Sequence, residues 1–218
     1  NSLTTHDEYT FSTLGIGLPG IDAAESTVTV TSTGGQNFVS PLVKKDSQYT
    51  FYLSDYPFGS NYYTGSDLYI YFGGSSSGCG TAGNNGADRT LPAIEITTLT
   101  NTNTVSRTIV EPCTSFTHRI QNTTITGTSV TAPQQIFSGY TFRQRYLYTL
   151  PANTRLLVVR PIFGETYVGF YTNNPNISFP IQGKTITSTA ISTTGISKTV
   201  TLFRSNPQLP ADFFVTSF

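Results

Sequence analysis

The stretch from Gly183 to Arg204 constrains the fold of this chain more than any other segment. It reads G-K-T-I-T-S-T-A-I-S-T-T-G-I-S-K-T-V-T-L-F-R, so β-branched residues dominate both halves, and a short turn at 193–195 separates them. Apolar side chains recur among polar ones: Ile186 and Ile191 before the turn, and Ile196, Val200 and Leu202 after it. This pattern predicts an antiparallel β-hairpin with one half-buried face. No residue in the hairpin suggests catalysis.

Short segments of the same kind run along most of the chain. Residues 26–32 alternate strictly, 93–99 and 105–110 look like a second hairpin, and 140–171 forms the most apolar block. Strands separated by turn signals every 8–12 residues or so are typical of sandwiches, and no segment has a helical period of convincing length. We therefore predict an all-β fold of antiparallel sheets, packed as a sandwich or as two β sub-lobes, with little or no helix.

The same segments suggest a division of the chain. Residues 1–25 are expected to form an irregular lead-in. Residues 26–113 are expected to form a first β layer or sub-lobe, and residues 114–218 a second. Composition agrees with the fold class, because 13 Tyr, 15 Phe and many Thr residues suit the pleated face of a sheet.

The charge of the chain argues against one class of function. Charged residues make up only 11% of the chain, the net charge is zero, and the basic residues are scattered, so nucleic-acid binding is disfavoured. Residues 1–109 hold nine acidic and four basic residues, whereas residues 110–218 hold three acidic and eight basic residues. This asymmetry fits either chance on a sparsely charged surface or a dipole that helps identical or related subunits to stack.

The two cysteines, Cys79 and Cys113, lie in polar segments that contain Gly or Pro. We expect them to form a disulfide that staples the first sub-lobe; the alternative is two buried free thiols. A disulfide would place the protein outside the cytosol, in an extracellular or cell-surface location. The sequence predicts no metal site, since His6 and His118 do not have ligand spacing. The loop N-N-G-A-D at 84–88 offers oxygen ligands but does not have EF-hand spacing. Calcium binding by this loop therefore stays an open alternative.

Groups suited to catalysis are few. The chain has no Gly-x-Ser-x-Gly elbow and no phosphate-binding loop, so we predict no catalytic residue and no cofactor. A glycoside hydrolase or lyase would require Glu95, Glu111 and His118 to converge in one cleft. We expect instead that Glu95 and Glu111 lie far apart along a β-ladder and that Glu95 is a structural or edge charge. The alternative, to be tested before catalysis, is that Glu95 is a buried partner of Arg107.

Aromatic residues crowd the stretch 49–72, and they are the main candidates for a binding surface. The alternation in D-L-Y-I-Y-F predicts that Tyr69 and Tyr71 share one face of a strand. With Tyr62 and Tyr63 they could form a stacking platform for sugars or a contact face for another subunit. The alternative is a set of ordinary cross-strand pairs on a solvated sheet.

A series of weaker motifs carries a family resemblance over roughly 40–218. D-L-Y-I-Y-F-G precedes Cys79, and L-P-A-I-E-I-T, S-R-T-I-V and E-P-C follow it; then come R-L-L-V-V-R-P-I-F, the hairpin described above and F-R-S-N-P-Q-L-P-A-D-F-F. In this order the segments resemble the soluble heads of minor type IV pilins and pseudopilins of the PilX type. That family is defined by an N-terminal hydrophobic helix with a processing site, which this sequence does not include.

The resemblance implies a non-enzymatic, extracellular head of a surface-fibre subunit, used in assembly or adhesion, whose partners are other pilin-like subunits. Any membrane contact is then expected only through a missing N-terminal segment, because no run of about 18 apolar residues is present. The alternative function is a secreted or virion-surface β-sandwich module that recognises a glycan or a protein, with shell subunits or a host surface as partners.

Overall fold

The structure, a computed structural model, describes residues 8–57, 61–79, 90–113 and 139–210, together with the backbone of 130–137. None of these residues lies in a helix, and strands make up most of them. In particular, no helix in this part of the chain has the length and hydropathy to cross a bilayer. The prediction of an all-β fold is confirmed.

Thirteen strands occur in the described parts of the chain. They are β1 (Glu8–Thr10), β2 (Thr27–Gly35), β3 (Asn37–Val39), β4 (Tyr49–Tyr52), β5 (Asp67–Gly74), β6 (Ala93–Thr100), β7 (Val105–Val110), β8 (Val130–Phe137), β9 (Tyr140–Thr149), β10 (Thr154–Ile162), β11 (Gly169–Tyr171), β12 (Phe179–Ile191) and β13 (Ser197–Ser205).

These strands form three antiparallel sheets. Sheet I has the order β1-β2-β12-β13, sheet II the order β4-β10-β6-β7, and sheet III the order β3-β11-β5-β9-β8. Each sheet combines strands from before and after Cys113, so the expected layers 26–113 and 114–218 are not the observed ones. Local periodicity specifies which segments become strands, but long-range packing decides which strands become neighbours.

The chain instead divides into two compact units. Unit 1 comprises residues 1–34 and 181–207, and unit 2 comprises residues 35–180 and 208–218. The long segment of unit 2, 35–180, is therefore inserted between the two segments of unit 1, and the chain returns to unit 2 at 208–218. The expected lead-in at 1–25 is also not wholly irregular, since β1 pairs with β2 through Tyr9 and Val28.

Unit 2 is a sandwich whose core lies between sheets II and III. The ring of Phe51 on β4 stacks on that of Phe170 on β11, with centroids 3.9 Å apart and planes 6° apart. Phe179 meets Phe51 edge-on, with centroids 5.0 Å apart. Strand β10 lies between β4 and β6, and four consecutive side chains on it, from Leu156 to Val159, are buried. Burial on both faces explains its continuous apolar run.

Unit 1 contains the hairpin that the sequence predicts. Strands β12 and β13 pair in register from Gly183 opposite Ser205 to Ile191 opposite Ser197. The turn lies at 193–195 as predicted, and Gly195 adopts a φ of 83°, a left-handed conformation that glycine allows without strain.

Threonines cover one face of this sheet. Hydroxyl groups pair across strands at Thr189 and Thr199 (3.0 Å), Thr187 and Thr201 (3.4 Å), and Thr33 and Thr185 (2.9 Å). Because side chains alternate along a strand, Ile186, Val200 and Leu202 lie on the opposite face.

Candidate functional site

The disulfide between Cys79 and Cys113 is confirmed, with the sulfur atoms 2.14 Å apart and the Cα atoms 5.3 Å apart. The carboxylate of Glu111 accepts a hydrogen bond of 2.9 Å from the backbone N–H of Cys113 and so fixes the turn that carries this cysteine. Closing a loop of 34 residues is worth about 3–4 kcal/mol in the chain-entropy model. Such a bond is typical of an oxidising compartment.

Glu95 is buried and forms ion pairs with two arginines. Nη2 of Arg160 lies 3.2 Å from its Oε2, and Nε of Arg107 lies 3.8 Å from its Oε1. The alternative in which Glu95 is a buried partner of Arg107 is therefore the one observed. Arg160, directly opposite Glu95 in β10, was not predicted, because sequence does not show that β6 and β10 are neighbours. Each oxygen of this carboxylate faces a guanidinium, so Glu95 serves to hold strands β6, β7 and β10 together.

Several of the other candidates for catalysis or metal binding fall on parts of the chain that the structure does not describe. His6, His118 and the loop 84–88 lie outside the described residues. Among the residues that are described, no three or more His, Cys, Asp or Glu side chains gather in a way that could hold a metal ion.

The four candidate tyrosines occupy different environments. Tyr62 and Tyr69 are half-buried, but Tyr63 is 9% exposed and Tyr71 is 2% exposed. The prediction that Tyr71 lies on an exposed contact surface is wrong, and Tyr63 shows only an edge to solvent. Strand alternation identifies the face on which a ring lies, but not what covers that face.

Tyr71 is covered by its neighbours on sheet III. Its ring centroid lies 6.4 Å from that of Tyr69 and 6.0 Å from that of Phe142. Burial raises the pKa of Tyr71, and the hydrogen bond and positive charge of Arg145 partly offset that rise. Tyr71 therefore supports the Tyr69 ring rather than forming a surface itself.

Three of the four tyrosines line two clefts in unit 2. The larger cleft has a volume of about 580 Å³. Its walls are formed by residues 63–67, Tyr69, Leu147, 172–175 and Ile177. A second cleft of about 400 Å³ is lined by Leu53, residues 62–66 and residues 150–154. The two clefts share residues 63–66, so they adjoin at this loop.

Neighbouring residues fix both rings of the larger cleft. The guanidinium carbon of Arg145 lies over the Tyr69 ring, 5.0 Å from its centroid. The hydroxyl of Tyr63 donates a 2.9 Å hydrogen bond to the carbonyl of Asp67. Gly65 lies against the Tyr63 ring so closely that a Cβ atom there would lie 2.4 Å from Cζ.

One wall of this cleft was not predicted. It is the segment 172–177, T-N-N-P-N-I, which follows β11. Its cluster of Asn and Pro is a sequence signal for a turn, but turn signals do not show which cleft a loop will border.

A second candidate surface is the outer edge of sheet I. Strand β13 is the last strand in the sheet order, and none of its nine residues is buried. The side chains of Val200 and Leu202 are 58% and 59% exposed, and Ile196 at the turn is 72% exposed. The sequence predicts a half-buried face here, but at β13 that face is open.

Charge is divided across unit 1. Its acidic residues all lie in the first segment, 1–34, where Glu8 is on β1. Its basic residues all lie in the second segment and are Lys184, Lys198 and Arg204. Lys184 and Arg204 are directly opposite each other in the hairpin, which leaves that edge basic.

Comparison with known proteins gives no family: no protein-family model, no curated protein and no solved structure matches this chain.

Proposed function

We propose that this protein is a non-enzymatic structural protein of the cell exterior, the globular head of a pilin-like fibre subunit used in assembly or adhesion. The observation that carries the proposal is the exposed outer strand of sheet I. A nine-residue strand that comes last in its sheet among the described strands, and has no buried residue, is a template for a strand from another chain.

The side chains of β13 support the same conclusion. Val200 and Leu202 are both more than half exposed and lie two residues apart, so they project from the same face of the strand. Contiguous exposed apolar side chains on a soluble protein mark interaction surfaces. A docked subunit would remove these side chains from water and complete the ladder of hydrogen bonds.

Charge indicates the kind of subunit that docks. A two-fold pairing of β13 with a copy of itself, centred on Thr201, would place Lys198 opposite Arg204. Like charges directly opposite on paired strands destabilise the pairing. A head-to-tail arrangement instead brings the basic β13 edge of one subunit to an acidic edge such as β1 of the next. Such a head-to-tail interface builds an open fibre when the rotation between successive subunits does not close a ring.

Two further observations support the proposal. The Cys79–Cys113 disulfide fits a protein that works outside the cytosol. The motif order resembles that of minor pilin heads, in which an apolar helix precedes the head. A helix that preceded residue 8 would join the fold at β1, in the unit that also carries β13.

Sedimentation velocity at rising protein concentration and low salt tests this function. We expect the wild-type chain to associate reversibly, and we expect V200N/L202N and Lys198→Glu to weaken that association at least about tenfold, roughly 1.4 kcal/mol. Leu18→Asn is the matched control, since Leu18 is also 54% exposed in unit 1 but lies outside sheet I. A wild-type chain that stays monomeric to about 1 mM, or equal weakening by Leu18→Asn, would count against the proposal.

A further inference from the structure

We propose that the larger cleft of unit 2, between Tyr63 and Tyr69, binds a neutral oligosaccharide. This site lies in a different unit from the β13 edge and goes beyond the function proposed above.

The volume and lining of the cleft fit a ligand rather than a gap in packing. Its volume of about 580 Å³ falls within the range of small-molecule sites, roughly 300–1,000 Å³. The lining combines apolar surface with hydroxyl, amide and carboxylate groups, which is the usual composition of such sites. The apolar part comes from the two tyrosine rings, Leu147, Pro175 and Ile177.

The polar part of the lining selects the ligand class. Asn173 and Asn174 belong to the lining, and side-chain amides both donate and accept hydrogen bonds, as sugar hydroxyls do. The Oδ1 of Asn174 already accepts a 3.0 Å hydrogen bond from the N–H of Asn176, so its amide N–H groups are the donors left for a ligand. Asp67 is the one charged residue among the lining residues, so the cleft offers an anion no cationic partner within its walls. A sugar ring also has a face of C–H groups that can lie on an aromatic ring. A neutral saccharide satisfies both kinds of surface.

The cleft is also preorganised. Tyr63 is held by its hydrogen bond to the carbonyl of Asp67 and by the close approach of Gly65. Tyr69 is held by Arg145, which lies over its ring but does not line the cleft. Rings that are already ordered lose little conformational entropy when a ligand binds. Affinity is therefore expected without a rearrangement of unit 2.

The second cleft suggests the length of the ligand. It adjoins the larger cleft at the shared loop 63–66 and adds Tyr62 and Asn153 to the lining. A ligand of several sugar rings can contact both clefts across this loop, whereas a monosaccharide can contact only one. We therefore expect affinity to rise from a monosaccharide to a tetrasaccharide.

A glycan array with neutral, sialylated and sulfated chains provides the first test, followed by calorimetry with the best neutral tetrasaccharide. We expect binding to neutral glycans, a loss of at least about tenfold in affinity in Tyr69→Ala, and less than about twofold in Tyr69→Phe, which keeps the ring. Tyr140→Ala is the matched control, because Tyr140 is a 37% exposed tyrosine on sheet III that does not line either cleft.

Asn173→Ala is a second test of the site, for use if Tyr69→Ala unfolds the sandwich. Asn173 is suited to this because it is exposed and lies in a loop. The substitution is expected to lower affinity severalfold while the circular dichroism spectrum and melting temperature stay unchanged. Three results would overturn the site: no neutral glycan bound, a preference for anionic glycans, or binding that neither Tyr69→Ala nor Asn173→Ala weakens. None of these results bears on self-association through β13, so the two proposals fail separately.

Discussion

In unit 2, strand β10 has four consecutive buried side chains, Leu156 to Val159; in unit 1, strand β13 has no buried residue. Both strands are rich in β-branched and aliphatic residues. Their difference comes from position in the sheet: β10 lies between two strands, and β13 lies at an edge. Strand-forming sequence is therefore found in two settings, in a buried core and on an exposed edge of a sheet.

The two units also differ in how they are stabilised. Among the described residues, the buried apolar side chains of unit 1 are Phe11 and Val30, whereas unit 2 buries most of its aliphatic and aromatic residues. Cross-strand threonine pairs contribute only about 0.2–1 kcal/mol each. Unit 1 thus gains little from its own packing, and a neighbouring subunit that covers β13 would add apolar burial that this chain lacks.

The largest expected effect contrasts one core residue with one edge residue. Phe51 is fully buried and stacked on Phe170, so Phe51→Ala should lower the free energy of unfolding by about 3–5 kcal/mol. Leu202 is 59% exposed, so Leu202→Ala should change it by less than about 0.5 kcal/mol. Urea unfolding at low protein concentration, where the chain is monomeric, measures both. A cost above about 2 kcal/mol for Leu202→Ala would contradict the view that this face is open in the single chain.

Sequence reasoning succeeded where the signal was local. The hairpin, its turn at 193–195 and the all-β class all follow from residue alternation and turn residues. The Cys79–Cys113 bond followed from their being the two cysteines of the chain. The Glu95–Arg107 contact was also recognised as an alternative, because β6 and β7 are consecutive strands joined by a short turn.

Sequence reasoning failed where the outcome depended on distant contacts. The insertion of unit 2 into unit 1 requires β2 and β12 to be neighbours, and no local pattern encodes that pairing. Tyr71 has the same alternation as Tyr69 but is buried by Phe142 and Arg145, which lie about 70 residues further along the chain. The loop 172–177 likewise reaches the cleft only through the pairing of β11 with β5.

Loss of the disulfide should lower the stability of unit 2 and leave that of unit 1 unchanged. Both cysteines lie in unit 2, so Cys79→Ser/Cys113→Ser should destabilise that unit by about 3–4 kcal/mol. Hydrogen exchange followed by mass spectrometry should then show faster exchange in β6 and β10. Exchange in the β12–β13 hairpin is expected to stay the same, because the bond does not constrain unit 1. Equal acceleration in both units would mean that they unfold together and would contradict their separate stabilisation.

The smallest expected effect concerns the stability of unit 2 at alkaline pH. Tyr49 is buried, and its hydroxyl has no hydrogen-bond partner among the described residues. Burial, with a smaller contribution from Tyr52, raises the pKa of Tyr49 well above its usual value. The folded state therefore keeps this proton more tightly than the unfolded state does. The resulting stability is fully present below about pH 10, the pKa of an unfolded tyrosine, and is lost as the pH rises above it.

Tyr49→Phe removes both the buried hydroxyl and this titration. At neutral pH the free energy of unfolding should rise by up to about 1 kcal/mol, because an unsatisfied polar group leaves the core. At pH 11 the advantage over wild type should grow by about 1.4 kcal/mol more. Urea unfolding from pH 7 to pH 11 measures this, with the exposed Tyr140→Phe as control. A loss of stability at pH 7 in Tyr49→Phe would instead mean that a hydrogen-bond partner holds the hydroxyl. The loss of stability of unit 2 at alkaline pH must then come from its other buried tyrosines, Tyr52, Tyr63 and Tyr71. Burial also raises the pKa values of these three residues.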